Sequence, residues 1–185
     1  LASSVGKAVR PYAIRIVDEH RREVRRGSVG EIAFRGPVLM KGYYNDPAAT
    51  AARIDAEGWY YTSDLGRMDD AGYIYLVGRA TEMFKSGGEN VFPREIEDTL
   101  ETHPAVLFSA VIGIPDPVYS EVGHAYIMLK PGYTATEDEL HVYCKQHLAN
   151  FKVPKHFSIR PRLPLLPNGK VDKLTLKREL AGKQR

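Results

Sequence analysis

Three short stretches of this chain hold residue types that can work on hydroxyl and phosphate groups. In Tyr61-Thr-Ser-Asp64-Leu-Gly66, Asp64 stands in a polar segment that follows Trp59-Tyr60-Tyr61. A carboxylate so placed can accept both protons of a sugar diol. In Gly78-Arg79-Ala-Thr81-Glu-Met-Phe-Lys-Ser86-Gly87-Gly88-Glu89-Asn90, one cation is followed by a paired glycine. Paired glycines permit torsions closed to other residues and let another molecule approach the backbone closely. In Leu166-Pro-Asn-Gly169-Lys170-Val-Asp-Lys173, Lys170 lies on a turn, where an ammonium can act as a point charge against phosphate oxygens. Each stretch alone also has a plain reading: an Asp turn, a Gly-Gly hairpin, one solvated Lys among 26 basic residues. Their order and spacing carry the argument.

Other signals fail on their own chemistry. Ser3-Ser-Val-Gly-Lys7 lacks the spaced glycines and the hydroxyl residue after Lys that a phosphate loop needs. His141 and His147 have no further ligand between them, so no metal site is expected. No nucleophile elbow with a Ser, His and Asp order occurs. Cys144 is the single cysteine, which excludes a disulfide framework and fits a reducing compartment; its helical surroundings suggest a small packing residue.

The elements that must position these residues fall into two groups. Residues 1–77 read as short strands separated by Gly, Pro and Asp turns. They include Tyr12-Ala-Ile-Arg-Ile-Val-Asp, Gly30-Glu-Ile-Ala-Phe-Arg-Gly and a hairpin around Asp69-Asp70-Ala-Gly72. Asp46-Pro47 opens the one helical piece there. A small β-barrel-like or sandwich subdomain is the expected architecture. Residues 78–185 alternate between helices and strands and should form a compact α+β domain with a small central sheet. Pro93 starts a helix with Ile96 and Leu100 on one face. Ala105–Ile114, Gly123–Leu129 and His156–Arg160 are strand segments. Thr136-Glu-Asp-Glu139 caps a second helix, and Lys173–Leu180 forms a terminal one. The change of pattern falls at Gly78-Arg79, which suggests a hinge near residues 79–81.

Bulk properties exclude several classes. The net charge of +3 comes from 26 basic and 23 acidic residues well mixed along 185, too mild for nucleic acid or an anionic membrane surface. The densest basic run, Arg21-Arg22-Glu-Val-Arg25-Arg26, is interrupted by Glu23 and reads as a solvated hairpin tip. No apolar run is long enough to span a membrane, and the chain begins at Leu1 with no signal peptide, so a cytoplasmic location is expected.

Taken together, the three stretches closely resemble the C-terminal part of the adenylate-forming, AMP-binding superfamily. It includes acyl-CoA synthetases, adenylation domains of peptide synthetases, and luciferases. The resemblance runs along essentially the whole chain, which is similar to about the last third of such an enzyme, medium- and long-chain fatty-acid–CoA ligases in particular. It implies ATP, Mg²⁺, coenzyme A and a small-molecule carboxylic acid as ligands. It also implies that Asp64 and Arg79 hold the nucleotide ribose and that Lys170 is the principal catalytic residue for adenylation. The hinge position is Thr81, where the family usually has Asp or Lys; this removes a charge-based role without hindering rotation. Gly87, Gly88 and Glu89 match the loop that lines the pantetheine tunnel in the acyl-CoA synthetase branch. Phe151, Lys155 and Tyr119 match positions near coenzyme A, while Val153 replaces an Arg of some relatives, so any phosphate grip there is weaker or differently built. The phosphate loop and acyl pocket of the family belong to sequence upstream of Leu1, so the isolated chain is expected to be inactive. An adenylation domain serving a carrier protein and a non-catalytic nucleotide- or partner-binding module are the alternatives.

Overall fold

The structure, a computed structural model, describes residues 4–183; Leu1, and Ser3 of the rejected phosphate-loop segment, lie outside them. The chain divides into two compact units, Leu1–Thr81 and Glu82–Arg185, each α+β.

In the first unit, strands β1 (Ala13–Val17), β2 (Val29–Arg35), β3 (Tyr60–Met68) and β4 (Ile74–Arg79) form an antiparallel meander in sequence order. Alternation places Ile16, Ile32, Met68 and Ile74 in one apolar cluster and Val17, Ala33, Trp59 and Tyr61 in another. The barrel-like closure expected from the sequence is not formed, because β1 and β4 stay at opposite edges. Four strands are too few to curl round a side-chain core, as closed barrels need about eight, or five in partly open forms. The helix α1 (Pro47–Arg53) starts where expected, with the Asp46 carboxylate accepting the Ala49 N–H at 2.8 Å.

The second unit is built on a five-stranded sheet of β5 (Phe84–Ser86), β6 (Glu89–Val91), β7 (Val106–Asp116), β8 (Ser120–Leu129) and β9 (His156–Ile159). β7 pairs antiparallel with β8 along its whole length. On the other edge of β8 lie β5, near its start, and β9, in parallel from His124 to Ile127. Helices α2 (Pro93–Glu101) and α3 (Glu137–His147) cover one face. There Ile96, Leu100, Leu140 and Cys144 are fully buried against Val111, Ala125 and Ile127. Helix α4 (Lys173–Lys183) covers the other face through Leu176, packed with Ala110, Ile112 and Tyr126. α3 begins with the capping box read from Thr136 and Glu139, whereas α2 begins on Pro93 with no side-chain cap. Burial pushes the Cys144 thiol up to about 12, consistent with a packing role.

Candidate functional site

In the first unit, the register of β3 on β4 sets Asp64 opposite Arg79, and the guanidinium Nε donates to the carboxylate at 3.0 Å. The side chains are 37% and 58% exposed, so both can reach a ligand. Register shifts on either side of Asp64, in β2 between Glu31 and Ala33 and in β3 between Leu65 and Gly66, turn this stretch out of the regular ladder. The preceding residue, Ser63, adopts a left-handed conformation with φ +62°, unusual for a residue other than glycine. Three partners hold it: its N–H donates to the Glu31 carboxylate at 2.6 Å, its carbonyl accepts the Ala80 N–H at 2.9 Å, and Arg53 donates to its hydroxyl. The Asp64 N–H is taken by the Thr62 hydroxyl at 3.0 Å. Asp64 is therefore held by a polar frame built from residues distant in sequence, which its own motif does not reveal. The residue before the acid, strained for a Ser, is where a hint of it was available.

In the second unit, Ser86-Gly87-Gly88-Glu89 is a tight hairpin turn between β5 and β6, where the sequence suggested a loop. Gly87 and Gly88 have φ +59° and +88°, the combination that a two-residue hairpin of this hand requires. The Gly87 N–H donates to the Tyr119 carbonyl at 2.9 Å, which ties this turn to the β7–β8 connection. There, the Asp116 carboxylate caps the N–H groups of Val118 and Tyr119, both at 2.8 Å. These bonds, the Tyr119 one first, hold the Asp116 carboxyl below the usual carboxylate range. The Lys155 ammonium sits 4.6 Å above the centre of the Tyr119 ring. Gly87, Tyr119 and Lys155 thus come together from segments far apart in sequence, with Gly88 and the exposed Glu89 beside them.

Phe151 lies on a 3-10 turn (Asn150–Lys152) that adjoins β6 and is partly exposed. Its neighbour Lys152 is committed to Glu95, at 2.7 and 2.8 Å from the two carboxylate oxygens. Val153 is buried in the main core, so that position offers nothing to a phosphate. Lys155, two residues on, has an exposed side chain.

Lys170 stands on a third feature, the hairpin closed by the Leu165–Val171 bridge. Its carbonyl accepts the Leu166 N–H at 2.7 Å and its own N–H donates to the Asn168 side chain at 3.1 Å. The side chain is exposed, and no ion pair engages its ammonium among the described residues. Thr81 is an exposed turn residue at the end of the first unit. Among the described residues no group of three His, Cys, Asp or Glu side chains is disposed to hold a metal ion.

Each feature offers a different set of groups to a ligand. The Asp64–Arg79 pair offers two acceptors and a cation at a strand end, fitted to a ribose. The glycine turn offers a side-chain-free edge with an aromatic ring and a cation next to it. The Lys170 hairpin offers an exposed positive charge that no ion pair engages among the described residues.

Known proteins resemble the chain along its whole length. Residues 95–170 match the family model described as AMP-binding enzyme C-terminal domain, and residues 1–44 match that described as AMP-binding enzyme. A methyl-dioxo-octahydro-indenyl propanoyl:CoA ligase of Rhodococcus jostii is 48% identical over 157 residues, covering 85% of this chain and 30% of the relative. The crotonobetaine/carnitine–CoA ligase of Escherichia coli is 38% identical over 177 residues, covering 94% of this chain and 34% of the relative. Among solved structures, o-succinylbenzoate CoA synthetase of Bacillus subtilis with its acyl-adenylate intermediate matches with a TM-score of 0.89. The two are 36% identical, covering 95% of this chain and 36% of that one. ATP-bound MatB of Rhodopseudomonas palustris gives a TM-score of 0.87 at 34% identity, covering 96% of this chain and 35% of that one. The chain thus spans about a third of the length of the relatives it matches.

Proposed function

Because the chain belongs to the AMP-binding, adenylate-forming enzyme family and corresponds to its C-terminal part, we propose that it serves an acyl-CoA ligase. In the reaction, a carboxylate attacks the α-phosphate of ATP, releasing pyrophosphate and giving an acyl-adenylate. The thiol of coenzyme A then displaces AMP to give the thioester. The activated acid belongs to the general class of carboxylic acids; the relatives above are named for chemically different ones.

The geometry of each feature supports the role that the family resemblance implies for it. Asp64 accepts the ribose hydroxyl protons, with Arg79 holding the carboxylate in place and adding a donor towards the same sugar. Lys170 brings its ammonium to the phosphate oxygens as charge moves onto the leaving pyrophosphate, an electrostatic contribution that grows towards the transition state. The Gly87-Gly88 turn borders the path of the pantetheine arm, Tyr119 and Phe151 offer aromatic surface, and Lys155 faces a phosphate of the coenzyme. Thr81, between the units, is where the backbone would turn between half-reactions, since a hinge needs only a few permissive torsions.

The observation that carries the acyl-CoA reading over delivery to a carrier protein is the convergence of Gly87, Tyr119 and Lys155. It pairs a narrow glycine edge with a cation 4.6 Å over an aromatic ring, as a small soluble thiol with a phosphate-rich handle would need. The test is an enzyme in which this chain is joined to the family's N-terminal portion, incubated with carboxylic acids, ATP and coenzyme A. Stoichiometric AMP, pyrophosphate and acyl-CoA are the expected products. Acyl-adenylate that passes to a carrier protein's phosphopantetheine but not to free coenzyme A would refute the reading.

A further inference from the structure

Two lysines share the Asn168-Gly-Lys170-Val-Asp-Lys173 segment, and nothing in their spacing says which is free to react. Their surroundings differ sharply. The Lys173 side chain is only 20% exposed, and its ammonium lies between two carboxylates, 2.7 Å from Glu97 and in direct contact with Glu82. Glu97 is itself buried on α2, where its carboxylate also accepts the Val111 N–H of β7, the edge strand, at 2.8 Å. Glu82 is the first residue of the second unit, next to Thr81. Lys173 is the first residue of α4, three positions after Lys170.

Short backbone links join the two lysines. The Asp172 N–H donates to the Pro164 carbonyl at 2.8 Å, and the Asp172 carboxylate holds the Thr175 N–H at 3.1 Å and its hydroxyl at 2.7 Å. The Lys170 hairpin and the first turn of α4 therefore form one stiff piece. Farther along, α4 is held by Leu176 in the core and by the pair of Glu179 with Arg160 at 2.6 Å. Val171, beside Lys170, packs partly buried against the same cluster, and Lys173 is the charged anchor nearest Lys170.

We infer that Lys173, clamped by Glu82 and Glu97, is a positioning residue. It fixes the Lys170 hairpin to the central sheet and to the segment that leaves Thr81, so that Lys170 and that segment move as one body. Its charge is spent on two carboxylates, and it takes no part in binding phosphate. The inference rests on the proposed adenylation role of Lys170.

Lys173→Met keeps the length of the side chain and removes its charge. In the 185-residue chain, amide exchange at Leu166, Gly169 and Asp172 should speed up at least about tenfold, the hairpin having lost its nearest charged anchor, while β7–β8 amides keep their protection. Lys173→Arg should restore the wild-type rates. In the longer enzyme, Lys173→Met should lower kcat for adenylate formation by roughly tenfold to a hundredfold, the cost of misplacing a reacting group by about 1 Å, with KM for ATP almost unchanged. Glu82→Gln, at the more exposed end of the clamp, should act in the same direction but less, and it serves if Lys173→Met folds poorly. Equal loss of protection in the hairpin and in β7–β8 would mean a general stability role and overturn the inference. So would an unchanged kcat in Lys173→Met when Lys170→Ala disables the same step. A Lys170→Ala enzyme that still forms adenylate normally would instead overturn the functional reading on which the inference rests.

Discussion

Substitutions at Gly88 separate a blocked tunnel from a damaged turn, because the structure fixes what each would cost. Gly88 has φ +88°, and a Cβ built there meets no atom within 4 Å. The energetic penalty in the second unit is therefore backbone strain rather than a clash. For an L-residue that strain is about 1–2 kcal/mol, or roughly 4–16 °C in Tm for a unit of this size. Ala and Leu should carry it equally, so their melting curves should coincide. Asn, which tolerates this conformation, should melt higher than either. Thioester formation from supplied acyl-adenylate and coenzyme A should follow a different order, Ala best, Asn next and Leu worst, because bulk and not strain stands in the thiol's path. Carboxylate-dependent pyrophosphate release should stay near wild type in all three. The two orders cross at Asn. If thioester yield instead follows Tm, with Asn above Ala and Leu equal to Ala, then Gly88 is a structural turn residue and does not border the thiol's path.

Other expectations are simpler. Asp64→Asn should change stability by less than about 1 kcal/mol, since its pair with Arg79 is solvent-exposed, yet raise KM for ATP roughly tenfold or more through weaker charged hydrogen bonds. Thermal melts and ATP titrations on one preparation check both. Leu100→Ala empties a fully buried site between α2 and β7 and should cost about 2–5 kcal/mol in urea unfolding of the second unit. Cys144 should resist thiol reagents at pH 8 in the native chain and react promptly once unfolded. Burial pushes its folded thiol up to about 12 from the ordinary 9.0, so the unfolded chain gives up this proton first. The stability tied to Cys144 is thus complete below pH 9 and is lost as pH rises towards about 12, which denaturant titrations of wild type and Cys144→Ala would reveal as a difference in slope.

Local chemistry made much of the fold legible. Asp46-Pro47, Pro93 and the Thr136–Glu139 box each mark a helix start where the structure has one, and the apolar run Ala105–Ile114 marks a long strand, although this strand, expected to be central, lies at the sheet edge, with β8 in the middle. Pairing was harder to read. Nothing in His156–Ile159 says that it joins β8 in parallel, and alternation in residues 1–77 cannot tell an open meander from a closed barrel. The candidate site divides in the same way. Asp64, Arg79, the glycines and Lys170 stand out by type and neighbourhood. Their supports do not, because those are long-range: Glu31 lies 32 residues from Ser63, Glu95 57 from Lys152, and Glu82 91 from Lys173. One of these supports could have been suspected. Glu97 falls between Ile96 and Leu100 on the buried side of α2, where a carboxylate needs a partner, and burial raises its carboxyl above the ordinary range even with Lys173 beside it.

The central claim is that this chain supplies Lys170 to adenylate formation and other residues to thioester formation. Measuring the two half-reactions separately in Lys170→Ala of the longer enzyme tests it most directly. Carboxylate-dependent ATP–pyrophosphate exchange should fall by about two to three orders of magnitude, as for removal of a single electrostatic stabiliser, while conversion of supplied acyl-adenylate to acyl-CoA stays near wild type. Equal losses in both half-reactions, or exchange that survives without Lys170, would contradict the account.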